Sequence, residues 1–130
     1  MAKIEFFKQQ SKKFFKDYNS RVFNKKEGFY EYYPRYFPDI DSIILSFDIT
    51  EEEQFTLMNA QHIIALLSGF NKWNELIKAS EPLLEIGKLL LINRENLYFE
   101  DWQDYDSRYL QNFSDESKLE VFKRVFLKEE

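Results

Sequence analysis

The run Thr50-Glu51-Glu52-Glu53-Gln54-Phe55-Thr56-Leu57-Met58-Asn59-Ala60-Gln61-His62-Ile63-Ile64-Ala65-Leu66-Leu67-Ser68-Gly69 carries the plainest structural signal in the chain. A threonine followed three residues later by a glutamate has the form of a capping box, in which hydroxyl and carboxylate satisfy amides that the first turn of a helix leaves without partners. Carboxylates at 51, 52 and 53 also suit the positive end of the helix dipole. Phe55, Met58, His62, Ala65 and Leu66 then recur at helical spacing, the pattern broadens through Ile63, Ile64 and Leu67, and it stops at Gly69. A helix that is apolar on nearly all sides is buried, so this segment is expected to be the central element.

Helical signals continue downstream. Asn71 can cap a short helix bearing Trp73, Leu76 and Ile77, and Ser80 can cap the next, with Pro82 tolerated in its first turn and Leu83, Leu84, Ile86, Leu89, Leu90 and Ile92 along it. Residues 93–99 read as a link, 100–110 as a helix bearing Trp102, Tyr105 and Tyr109, and Ser114 as the cap of a last helix with Leu119, Phe122, Val125 and Phe126.

Upstream, Ile4, Phe7, Phe14, Phe15, Tyr18 and Val22 form one helical stripe over residues 3–23, and Gly28 can end that pattern. Pro34 and Pro38 forbid a continuous helix or central strand over residues 29–41, which read as an ordered aromatic loop. Residues 42–49 read as a short extended or single-turn segment. The fold class that follows is all-α: a single domain over residues 1–130, a compact bundle of five or six helices built around residues 51–92, with an aromatic loop near residues 29–41.

The stretch Ala60-Gln61-His62-Ile63-Ile64-Ala65-Leu66-Leu67-Ser68-Gly69-Phe70-Asn71-Lys72-Trp73-Asn74-Glu75-Leu76 resembles a small helical module of bacterial glyoxalase-related proteins, in which a helix beginning Ala-Gln runs into Gly-Phe-x-x-Trp-x-x-Leu. The resemblance implies a helix-turn-helix in which Phe70 drops back onto the first helix while Trp73 and Leu76 lock the second against it. It implies no activity, because the chain has neither a strand-rich pattern nor the His/Glu metal set of a glyoxalase. As a whole the chain looks like small bacterial or phage proteins, which implies by analogy an immunity, antitoxin or anti-defence role.

Composition narrows the function classes. Fourteen Phe, eight Tyr and two Trp supply an ample core for 130 residues, and the absence of Cys removes thiolate nucleophiles and Cys-ligated metals. The longest apolar run, Leu89 to Ile92, is far short of the roughly 20 residues of a membrane span, and no signal sequence is evident, so a cytoplasmic protein without membrane contact is expected. The net charge of -5 is uneven, at +5 over residues 1–36, -6 over 37–77 and -4 over 78–130. Such a bipolar distribution reads either as solvated helix faces or as a surface for charged partners.

Candidate chemistry is sparse. His62, the single histidine, reads as a packing or hydrogen-bonding residue, the glutamates at 51–53 as capping groups, and Asp39, Asp41 and Asp48 as turn or helix-start residues. Gly28, Gly69 and Gly87 stand alone, so no phosphate loop is formed, and no serine has the glycine-flanked setting of a nucleophile. Neither a catalytic residue, a metal site nor a cofactor is expected, and the chain reads as a non-enzyme. The candidate binding residues are Tyr32, Tyr33, Arg35, Tyr36 and Phe37, which could close over the core, anchor a protein interface or stack unpaired bases beside the lysines of the first helix. The leading expectation is a protein-interaction module, and the alternative is a nucleic-acid-associated or DNA-mimic protein. The oligomeric state is open.

Overall fold

Serine and threonine caps, left-handed turns and runs of buried Leu and Ile divide this chain into short helices. A computed structural model describes residues 2–49 and 54–129. In order, the elements are helix α1 (Ala2–Tyr18), strands β1 (Val22–Asn24) and β2 (Phe29–Glu31), and helices α2 (Ile40–Ser46), α3 (Leu57–Leu67), α4 (Trp73–Lys78), α5 (Glu81–Ile92), α6 (Phe99–Tyr109) and α7 (Asp115–Val125). Seven helices among the described residues, against two strands of three residues each, make the fold predominantly α-helical, with more helices than the five or six expected. The chain divides into two compact units, Lys8–Ile63 and Met1–Phe7 with Ile64–Glu130, and α1 and α3 supply residues to both.

In the unit Lys8–Ile63, Phe14, Tyr18, Phe37, Ile40, Ile43 and Ile44 are buried. The Phe37 ring meets Phe14 edge-on at 5.2 Å, and Phe55 stacks on Tyr18 at 4.0 Å. Three local expectations are corrected here. Helix α1 stops at Tyr18 rather than 23, and Val22 lies in β1, because Ser20 and Arg21 turn the chain back with N–H bonds to the carbonyls of Asp17 and Tyr18.

Residues 42–49 are not extended: α2 covers Ile40–Ser46 and closes with the Asp48 and Ile49 N–H groups on the Leu45 and Ile44 carbonyls, Asp48 taking a left-handed φ of 53°. Among the described residues α3 begins at Leu57, and its capping box is Thr56 and Asn59. The Asn59 side-chain oxygen accepts the Thr56 N–H at 2.8 Å, while the Thr56 hydroxyl accepts the Asn59 N–H at 3.3 Å. The box expected at Thr50–Glu53 lies outside the described residues.

In the other unit, α3 ends in a Schellman motif. The Phe70 N–H bonds to the Ala65 carbonyl at 2.9 Å and the Gly69 N–H to the Leu66 carbonyl at 3.0 Å, with Gly69 at a φ of 86°. The backbone demands glycine there, and a Cβ on Gly69 would also lie 2.9 Å from Leu90 Cδ1, which would have to shift to admit it. The Phe70 ring approaches Gly87 of α5, where an added Cβ would stand 2.9 Å from Cε2.

Trp73 is half-buried, whereas Leu76 beside it is fully buried. The tryptophan that organises this unit is Trp102, which packs edge-to-face on Phe122 at 5.1 Å and on Phe126 at 5.6 Å, among buried Ile86, Leu90 and Leu110. Ser80 and Ser114 cap α5 and α7 as their sequence positions predict. Lys3 Nζ stands 3.3 Å from Glu81 and 3.5 Å from Glu85, and its hydrogen bond to Glu81 holds the ammonium pKa above the usual lysine value. No helix among the described residues is long and apolar enough to cross a membrane.

Candidate interaction surface

The aromatic segment is built on a short hairpin. β1 and β2 pair antiparallel in the register Val22 to Glu31, Phe23 to Tyr30 and Asn24 to Phe29. Asn24 shapes the turn: its side-chain oxygen accepts the N–H groups of Lys26 and Glu27, and its carbonyl accepts the Gly28 N–H at 2.8 Å. Because directly opposed residues share a face, Phe23 and Tyr30 lie together, with ring centroids 5.2 Å apart. Val22, Asn24, Phe29 and Glu31 take the other face, where the Asn24 amide donates to Glu31 at 2.8 Å.

A buried carboxylate holds the loop that follows. Asp17 is 2% exposed, and its Oδ1 accepts the Arg35 N–H at 2.9 Å while Oδ2 accepts the N–H groups of Tyr36 at 2.9 Å and Phe37 at 2.6 Å. Bonds from amides to an ionised acceptor are among the stronger hydrogen bonds of proteins. Ser20 adds a second tie, donating to the Asp17 carbonyl and accepting the Tyr33 N–H at 2.9 Å. A carboxylate in the last turn of a helix opposes the helix dipole, and that mismatch at Asp17 is the one sequence signal that could have marked it as a tertiary ligand.

The five candidate residues therefore part ways. Phe37 is 1% exposed and belongs to the core, so it anchors the loop and is not presented to a partner. Tyr32 is half-buried, its ring 5.9 Å from Tyr18. Tyr33, Arg35 and Tyr36 are exposed. The Tyr36 ring has Lys13 Nζ at 5.3 Å and the Arg35 guanidinium at 5.7 Å, while the Tyr33 hydroxyl donates to Glu31 at 3.2 Å. That hydrogen bond, with the charge of Glu31, raises the Tyr33 pKa above the usual tyrosine value. Arg21 lies over the rings of both Tyr18 and Tyr30, at 4.7 and 4.1 Å. Exposed apolar residues missed by the sequence reading, Val22, Phe23 and Phe29, extend the surface through the hairpin. Their signal was the pair of short β-prone runs separated by a Gly-containing turn.

His62 is exposed, not packed, and lies in a depression of about 240 Å³ with Asp48, Gln54, Phe55 and Asn59. No group of three or more His, Asp or Glu among the described residues is placed to hold a metal ion. Comparison with protein-family models, with curated proteins and with solved structures finds no match.

Proposed function

We propose that the chain is a non-enzymatic protein-interaction module, binding through the exposed aromatic residues of its hairpin and the loop after it. The observation that supports this reading is Tyr33 and Tyr36 standing exposed on a loop whose backbone is tied to Asp17 and whose next residue, Phe37, is sunk in the core. A fixed backbone lowers the ordering cost of binding, and tyrosine beside arginine is the composition of interface anchors. The resemblance of residues 60–76 to a helical module of glyoxalase-related proteins adds a packing role for that segment and no chemistry. A role of immunity, antitoxin or anti-defence type, in a cytoplasm to which a cysteine-free chain is suited, fits this reading.

Lys8, Lys12 and Lys16 favour a second reading, because all are exposed on α1 at four-residue spacing and so follow one side of the helix. Such a stripe could track phosphates, making the chain a nucleic-acid-associated protein. Affinity capture from nuclease-treated lysate separates the two. We expect captured protein to persist after nuclease, to be lost with Tyr33→Ser/Tyr36→Ser, and to survive Lys8→Glu/Lys12→Glu/Lys16→Glu. Micromolar binding to nucleic acid near physiological salt, lost in the lysine variant and kept in the tyrosine variant, would replace the first reading with the second.

A further inference from the structure

A second feature of the unit Lys8–Ile63 has a different chemistry from the basic aromatic loop. A groove of about 360 Å³ lies between the hairpin and α2. Phe29, Tyr30 and Tyr32 line it from the hairpin side, and Asp41 and Asp48 line it from α2 and the turn that closes α2. Leu45, 83% exposed, contributes apolar surface beside them. No lysine, arginine or histidine lines the groove among the described residues.

Aromatic rings beside carboxylates, with no basic residue in the lining itself, make a site for a positive charge carried on an apolar stem. Ring faces attract the cation, carboxylates accept its N–H groups, and aliphatic surface covers its methylenes. The Tyr30 ring already meets Arg21 at 4.1 Å and Phe23 at 5.2 Å, so Phe29 and the two carboxylates carry most of the attraction for a guest cation. The volume lies at the lower end of the range of about 300–1,000 Å³ usual for ligand sites, a size suited to one side chain. A phosphate-bearing ligand would meet two carboxylates there.

We infer that this groove receives a lysine or arginine side chain presented by the partner protein, so that the partner is read by a basic residue here and by the tyrosine loop nearby. The inference rests on the protein-binding function proposed above. The test is NMR of the full-length ¹⁵N-labelled chain titrated with acetyl-Gly-Arg-Gly-amide, and with the same peptide carrying neutral citrulline in place of arginine. The arginine peptide should shift amides of residues 29–32 and 41–49, and the citrulline peptide should not. Affinity should fall about tenfold in Asp41→Asn/Asp48→Asn, a near-isosteric pair of changes that keeps an αL-tolerant residue at 48, and about threefold in Phe29→Leu.

Tyr33→Ser/Tyr36→Ser should leave these peptide shifts intact while abolishing partner capture. Absence of shifts at millimolar peptide, an equal response to citrulline, or an unchanged affinity in both the Asp41/Asp48 and Phe29 variants would overturn the groove assignment and leave the tyrosine surface standing. The same shifts produced by raising protein concentration alone would give the groove to a second copy, and would overturn it too. Loss of the tyrosine dependence of capture would instead overturn the function on which the assignment rests.

Discussion

Asp17 and Phe37 are joined by a 2.6 Å hydrogen bond from the backbone N–H of Phe37 to the buried carboxylate, across 20 residues of chain. Together with the bonds to Arg35 and Tyr36 it makes one side chain the attachment point of the whole aromatic loop. Removing it leaves amides without acceptors, one of them buried. Asp17→Ala should therefore cost about 3–5 kcal/mol, with Asp17→Asn costing less because one acceptor oxygen remains. Urea denaturation measures the loss, and amide exchange at 35–37 should accelerate first. Unchanged exchange there would show that the loop holds itself.

The two tryptophans should differ sharply. Trp102 is buried among Phe122, Phe126 and Leu90, so Trp102→Ala should cost about 3–5 kcal/mol. Trp73 is half-buried, and its truncation should cost clearly less. Thermal melts of both variants decide the matter, and a greater loss at Trp73 would restore to it the locking role that its sequence motif implies.

Thr56 should behave as a helix cap. Its hydroxyl accepts the Asn59 N–H and its own N–H is held by the Asn59 side chain, so Thr56→Ala should lower stability by about 1 kcal/mol, and Thr56→Ser much less. Equal loss in both variants would point to the threonine methyl group instead of the hydroxyl.

Tyr33 gives a pH signature. Its hydrogen bond to Glu31 favours the neutral phenol and raises its pKa above the ordinary value of 10.0. For a pKa raised on folding, the contribution to stability is present below the unfolded value and disappears as pH climbs through the folded one, so the window lies above pH 10. Ultraviolet titration of phenolate formation should lose a late-titrating tyrosine in Tyr33→Phe, and that tyrosine should shift towards the ordinary value in Glu31→Gln. A curve for Tyr33→Phe that loses an ordinary tyrosine instead would contradict the pairing.

Local chemistry written in the sequence was enough to place the ends of several helices. Ser80 and Ser114 begin α5 and α7 because a hydroxyl three residues ahead of a free amide needs no distant partner, and Gly69 ends α3 because only glycine takes its φ without strain. What spacing could not assign was any position decided by residues far along the chain. Val22 continues a helical stripe in the sequence, yet lies in β1 because the bonds of Asp17 and Ser20 turn the chain out of α1 and hold residues 33–37 against its end.

Phe37 sits in sequence among tyrosines that face solvent, yet is buried because its own amide is drawn to Asp17 and its ring finds Phe14. The groove combines residues 29–32 with 41–49, a pairing that exists only once the hairpin has closed and α2 has formed. Caps and glycine stops act within a few residues and are legible one segment at a time. A carboxylate gathering distant amides, and a ring choosing core over surface, depend on which segments meet, and that was decided by tertiary structure alone.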